Sequence, residues 1–329
     1  MTGWKGQLGI KKETGYGTLV TVDHFLEFEG ETPLSPRVER MEARTIRTTV
    51  QGPRTDRFVP YVQGHEGQIT APVLTRNFAI LADLALGTIT TSSVVDSCYT
   101  HTASIPTTSV NGDSFTMQCG VPQADGTVSV YTYSGCKVTS LSLSMEQGAL
   151  LQYTLGVDAK DYATAGAGTA LTTASYAAGA TEPIAFVGGS IVINGSVREL
   201  TSFGVDITNT LPQRPKIGNV HPEPLVQDHP EVAWSIGMEH DSSDFFARVN
   251  SATAAGALGT IVATFRAPTL AGTATYPEIT VTIPQARFDD GKPALSGPGL
   301  VTASYSGKAM FDGTNSMVTI AVKSLETAP

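Results

Sequence analysis

Charge is scarce in this chain of 329 residues: charged side chains make up 16%, with 21 Lys and Arg against 30 Asp and Glu. A formal charge of -9 argues against a protein that grips nucleic acid by neutralising phosphates, since that requires clustered cations. The middle of the chain sharpens the point, with no Lys or Arg between Arg76 and Lys137 and only Lys160 between Lys137 and Arg198. Cysteine is also sparse. Cys98, Cys119 and Cys136 are odd in number and lack metal-ligand spacing, so neither a disulfide framework nor a zinc site is implied, and free thiols in a reducing cytosol are expected. No run approaches the roughly 20 apolar residues of a membrane span, and Met1 to Ile10 lacks the apolar stretch of a secretory signal, so synthesis in the cytoplasm is expected. Asn194-Gly195-Ser196 then reads as a hairpin turn, not as a glycosylation acceptor.

The patterns of catalysis are missing too. There is no Gly-x-Ser-x-Gly elbow, no phosphate-cradling glycine loop, no His-Glu-x-x-His and no Cys-x-x-Cys. His221, His229 and His240 lie close in sequence without ligand spacing on one element and are expected in loops. The carboxylates are scattered, and no acid and base pair stands out. We therefore expect no enzyme, and assign no catalytic, cofactor-binding or metal-ligating residue and no cofactor.

What is present is strand patterning over a small, hydroxylated surface: hydrophobic residues form 41% of the chain. Leu141, Leu143 and Met145 alternate with Ser140, Ser142 and Ser144; Glu146-Gln147-Gly148 turns the chain, and Leu151, Tyr153, Leu155 and Val157 return it as a half-buried hairpin. Later runs alternate equally cleanly: Val232/Trp234/Ile236/Met238, Ile279/Val281/Ile283, Val301/Ala303/Tyr305 and Val318/Ile320/Val322. Asn111-Gly112, Asp125-Gly126, Asp290-Gly291 and Asp312-Gly313 read as turns. Two helices interrupt the strands. One is expected within Gly67 to Gly87, with Thr70 as N-cap, Pro72 early and Gly87 as the stop, Asn77 being a blemish in its apolar arc. The other opens at Asp241-Ser-Ser-Asp244 and repeats Phe245, Val249 and Ala252 at helical spacing before Gly256.

Residues 3 to 18, rich in glycine and carrying Lys5, Lys11 and Lys12, read as an extended arm or tail outside the core, with a first strand from Leu19 to Phe28. Gly30 to Gly67 is long, charged and broken by Pro33, Pro36, Pro53 and Pro60. Such a segment is usually functional or disordered. Arg37, Arg40, Arg44 and Arg47 fall at helical spacing within it, yet Thr45 to Val50 is rich in strand formers, so its conformation stays open. Ala163 to Thr181 is almost wholly Ala, Gly, Thr and Ser and reads as a linker. The order of elements then replays, strands around a short helix. The expected organisation is mainly β, two tandem β-sandwich or part-barrel domains with one flanking helix each: residues 1–165, a linker at 166–181, and residues 182–329.

Gly9-Ile-Lys-Lys-Glu-Thr-Gly-Tyr-Gly-Thr18 followed by Phe25-Leu-Glu-Phe-Glu-Gly-Glu31 resembles the opening of the tail tube proteins, or major tail proteins, of long-tailed bacteriophages. Met41 to Arg47, Arg54 to Arg57, Gly64-His-Glu-Gly-Gln-Ile-Thr70 and the helix ending at Leu86-Gly87 are similar to that family's charged arm, glycine-marked strand and flanking helix, in the same order. Gly195 to Thr210 and Glu231 to Gly237 are similar to the matching stretches of a second such domain. The resemblance implies a structural virion protein, assembled in the host cytoplasm, whose homo-oligomeric rings stack into the tail tube through which DNA is ejected without specific binding. It implies rings of three two-domain chains, or of six chains, no membrane partner, and contacts with other tail proteins such as the tape measure and the tail terminator. The arm at 30–67 is then expected to join ring to ring. The polar faces of Lys137 to Asp158 and Pro277 to Phe311, with Glu146, Asp158, Asp289 and Asp290, are expected on the lumen wall, where acid repels DNA. A non-catalytic carbohydrate-binding or adhesin-like β-sandwich is the alternative, and would need an exposed aromatic platform.

Overall fold

The computed structural model describes residues 5–29, 33–43, 45, 52, 54–92, 95–106, 112–164, 168–176, 181–212, 214–224, 229–271, 274–295 and 299–329. Arg44, Arg47, most of the run from Thr45 to Val50, Asn111 and parts of the 166–181 segment lie outside these residues. The first half runs β1 (Gln7–Lys12), β2 (His24–Leu26), β3 (Ser35–Glu42), β4 (Phe58–Pro72), α1 (Phe78–Leu86), β5 (Thr88–Thr91), β6 (Tyr99–Ser104), β7 (Phe115–Pro122), β8 (Val128–Glu146), β9 (Gln152–Ala159) and β10 (Asp161–Ala163). The second runs β11 (Gly189–Ile193), β12 (Ser196–Arg198), β13 (Leu200–Thr208), β14 (Glu231–Glu239), α2 (Asp244–Val249), α3 (Ala254–Ala257), β15 (Leu258–Arg266), β16 (Glu278–Ala294), β17 (Thr302–Ala309) and β18 (Thr319–Ser324). The protein is mainly β, and all its ladders are antiparallel.

The pairing pattern occurs twice. In the first half β1 pairs β2 and β7, β8 pairs β7, β9 and β10, and β4 pairs β3 and β9. In the second β11 pairs β12 and β15, β16 pairs β15, β17 and β18, and β14 pairs β13 and β17. Even the irregularities coincide: β8 skips a residue between Val138 and Ser140 against β9, and β16 skips one between Phe288 and Asp290 against β17, 150 positions later. A second skip, between Phe115 and Met117 in β7, returns between Gly259 and Ile261 in β15. Bulges fix register and twist, so their recurrence aligns the halves residue by residue. Among the described residues three ladders have no counterpart: the β5–β6 hairpin, and the two that join the halves, β6 with β18 and β8 with β13.

The long hairpin of β8 and β9 and the turn at Asn194-Gly195 fall where alternation and turn chemistry place them, Asn194 having φ 52 and Gly195 φ 77. Four readings are corrected. Residues 7–12 are core and not a tail, because Leu8 and Ile10 alternate inward and β1 lies between β2 and β7. The first helix starts at Phe78; Thr70 and Pro72 belong to β4, whose ladder with β9 runs on to Pro72. Asn77, the supposed blemish, takes the left-handed conformation at the helix start, its side chain donating to the Phe25 carbonyl at 3.0 Å while its backbone N–H donates to Glu326 at 2.9 Å. Asp290-Gly291 makes no turn, because it sits inside β16 beside the bulge. The stop at Gly87 stands, with φ 92 and its N–H donating to the Asp83 carbonyl at 2.7 Å.

Every side chain of α1 is buried, Asp83 included, against β6 and β8. Burial pushes the Asp83 carboxyl above its usual range, and the bond from Lys12 at 3.0 Å partly offsets this. Lys12→Met should therefore cost about 2 kcal/mol at neutral pH, less than for a fully buried pair because Lys12 is half exposed. A carboxyl with a raised folded pKa binds its proton more tightly in the native state, so stability at this site grows as pH falls through that value. Urea midpoints should show the deficit of the variant shrinking between pH 7 and pH 5.

Candidate assembly surface

The two junction ladders make one sheet of the two halves. From β4 through β9, β8, β13, β14 and β17 to β16, a single row runs Pro72, Gln152, Ser144, Gly204, Ser235, Ser306, Asp290, each residue the direct cross-strand neighbour of the next. The adjacent row runs Thr70, Thr154, Ser142, Asp206, Ala233, Lys308. Within these rows Thr70 and Thr154 share a hydrogen bond at 3.2 Å, and Ser142 donates to Asp206. The opposite face of the same strands carries Leu141, Leu155, Ile207, Val232 and Ile236, all buried. One broad face is thus apolar and covered, while the other is built of Ser, Thr and Gly.

On the hydroxylated face acid outnumbers base: Glu66, Glu146, Asp206, Glu231, Glu239 and Asp290 stand against Arg37, Arg287, Lys292 and Lys308, with Lys308 paired with Glu231, Arg37 with Glu66 and Arg287 with Asp289. Of the four acids expected here, Glu146 and Asp290 lie on this face and are exposed. Asp289 sits at the bulge and pairs with Arg287 at 2.5 Å. Asp158 does not belong to the exposed set, since it is buried and takes a hydrogen bond from Arg37. Arg37 also holds Glu66 at 3.1 Å, so this trio anchors the root of β3 to the sheet.

Beyond that root β3 and β4 form a two-stranded arm, where a loop of open conformation was expected. Val38, Met41, Phe58, Val59 and Val62 are exposed along it, Val59 by 60%. Hydrophobic side chains on a projecting ribbon mark a contact surface. The sequence hid this strand because both faces of the arm meet solvent within the single chain, so charge replaces alternation at Arg37, Glu39, Arg40 and Glu42.

Two of the histidines, His65 and His101, are buried in the fold. His101 is fully buried and bridges Thr91 and the Glu326 carbonyl at 2.9 Å each, while the His65 ring lies tilted against Tyr133, centroids 5.3 Å apart, and is held below its ordinary pKa by burial. His229 and His240 are exposed, and His221 lies in the loop that carries Glu223. Among the described residues no three His, Cys, Asp or Glu side chains are placed to hold a metal ion. Among the described residues no helix is long and apolar enough to cross a membrane. Cys98, Cys119 and Cys136 are buried and form no disulfide, and burial pushes the thiols of Cys98 and Cys136 upward.

This surface is suited to contact between chains. It presents a wide hydroxylated wall, sheet edges and a projecting arm. A family model described as Phage tail tube protein matches residues 3–309. No curated protein matches the chain.

Proposed function

We propose, from the premise that this chain belongs to the phage tail tube protein family, that three copies close edge to edge into a ring and that rings stack into the tube. In this reading the chain is two fused copies of one tube domain, residues 1–165 and 182–329. Its hydroxylated sheet face lines the lumen, and the β3–β4 arm reaches the neighbouring ring. Other tail proteins close the two ends of the tube, and DNA leaves through the lumen during ejection. The observation that carries this reading is the polar row from Pro72 to Asp290, unbroken across the junction of the halves. Unpaired sheet edges invite association, and a closed ring removes them. The role is structural, as the family implies.

The wall has a physical task. DNA near a cationic wall releases counterions and binds, and about six phosphate contacts change affinity by roughly 10³ across ordinary salt ranges. Small hydroxyls with an excess of acid avoid that trap. Glu146→Lys combined with Glu239→Lys should leave tubes intact by electron microscopy and slow DNA release from complete particles. Raising the salt should restore the rate. Unchanged release from well-formed tubes would put this face on the outside.

A further inference from the structure

The repeat supplies a template for the contact between copies. Inside one chain the C-terminal part of β8 pairs with β13, so that Ser140 opposes Thr208, Leu141 opposes Ile207 and Leu143 opposes Val205. By the shared registers, β13 is the counterpart of β3, and β8 of β16. The matching edges are open: among the described residues, β3 pairs only with β4, and β16 beyond Arg287 has β17 on one side and nothing on the other.

We infer that β16 of one copy pairs antiparallel with β3 of a second copy in the register of the internal junction, with Gly291 opposite Pro36 and Pro293 opposite Leu34. The inference rests on the tube reading above and specifies its seam. Side-chain exposure agrees with it. Met145, covered by Phe203 at the internal junction, is 6% exposed, whereas its counterpart Leu295 is 81% exposed. Charge agrees as well, since this register sets Asp290 directly across from Arg37, where opposite signs are favourable.

The prolines decide how tight the seam is. Ala43 donates to the Arg57 carbonyl, so the odd residues of β3 face β4 and the missing N–H of Pro36 lies on the free edge. Met310 donates to the Gln285 carbonyl, which in the same way puts the missing N–H of Pro293 on the free edge of β16. Both edges are therefore blunted against indiscriminate strand addition. In the proposed register each proline still accepts, from Gly291 and from Leu34. Each of those two cross-strand pairs then keeps one hydrogen bond instead of two, and the Leu34 carbonyl already accepts from Tyr133 at 3.3 Å.

Ser35 and Lys292 form a non-hydrogen-bonded pair in this register, with Cα atoms about 4.5 Å apart, inside disulfide range. Ser35→Cys with Lys292→Cys should, on oxidation of assembled protein, give covalent multimers on a non-reducing gel. Ser35→Cys with Asp290→Cys, two residues out of register, should leave monomers. Hydrogen exchange of the unmodified protein gives a readout independent of the cysteines: the Gly291 and Leu34 amides should slow at least tenfold on assembly. Tubes that exchange freely at both amides, or that cross-link equally well out of register, would overturn the seam while leaving the tube reading intact. Unmodified protein that forms neither rings nor tubes would overturn the tube reading itself.

Discussion

Gly307→Ala is expected to be the most damaging small substitution in the second half, costing about 4 kcal/mol. A Cβ at this position would collide with the carbonyl oxygen of Arg287 and come within 3.0 Å of Trp234 Cζ2. The backbone contact is the reason for the size of the effect. A side chain can rotate away, but Arg287 adjoins the β16 bulge and is paired with Lys308, so its carbonyl has nowhere to go without breaking the ladder. The two halves solve the same packing problem in opposite ways. Where the first sets Gly67 against Val157, the second sets Trp234 against Gly307, with the indole edge-on to Phe288 at 4.7 Å. Urea denaturation should show the loss, and combining Gly307→Ala with Trp234→Phe should not recover it. A loss below about 1 kcal/mol would mean that the bulge yields easily.

Asp158→Ala should cost about 3 kcal/mol, because it deprives Arg37 of a buried carboxylate. Asp158 also lies directly across from Lys137, a buried lysine whose ammonium donates to Glu223 at 2.8 Å and to the Pro224 carbonyl at 3.3 Å. Removing the acid leaves both cations with less negative charge to balance them, and Arg37, one-quarter exposed, can turn toward water while keeping Glu66. Lys137→Met in the Asp158→Ala background should therefore cost less than the two single losses added together. Additive losses would show that the two cations do not share this carboxylate. The second consequence is positional: the arm root loses its tether, so on the tube reading proposed above ring stacking should weaken even where the subunit stays folded.

How far the fold could be read from the sequence depended on whether a strand has one wet face or two. β8, β9, β14 and β17 each bury one face, so Leu141, Tyr153, Trp234 and Tyr305 announce them by alternation. β3 is solvated on both sides and was hidden, whereas β1 was lost because Gly9 and the lysines masked the inward Leu8 and Ile10. The helix was found with its start misplaced, since Thr70 and Pro72 carry capping chemistry that the ladder with β9 overrides. The assembly surface was half legible. Its Ser and Thr content is a property of composition, but the ladder between Leu143 and Val205 that makes it continuous is long-range and leaves no local trace. Asp158 was misassigned for the same reason: nothing near it in sequence reveals that Arg37 will cover it.

The ladder between β6 and β18 has a bearing on the order of synthesis. The outer edge of β6, laid down by Ser104, meets its partner only when Thr319 to Ser324 have been made. Roughly 200 residues separate them, and at about 5–20 residues per second the ribosome leaves that edge bare for roughly 10–40 s. The first half therefore cannot complete its sheet while it emerges, and a nascent or truncated chain lacks the strand that finishes it. Chain order thus ties the first half to the second: a chain cut before Thr319 leaves the β6 edge unpaired on that side.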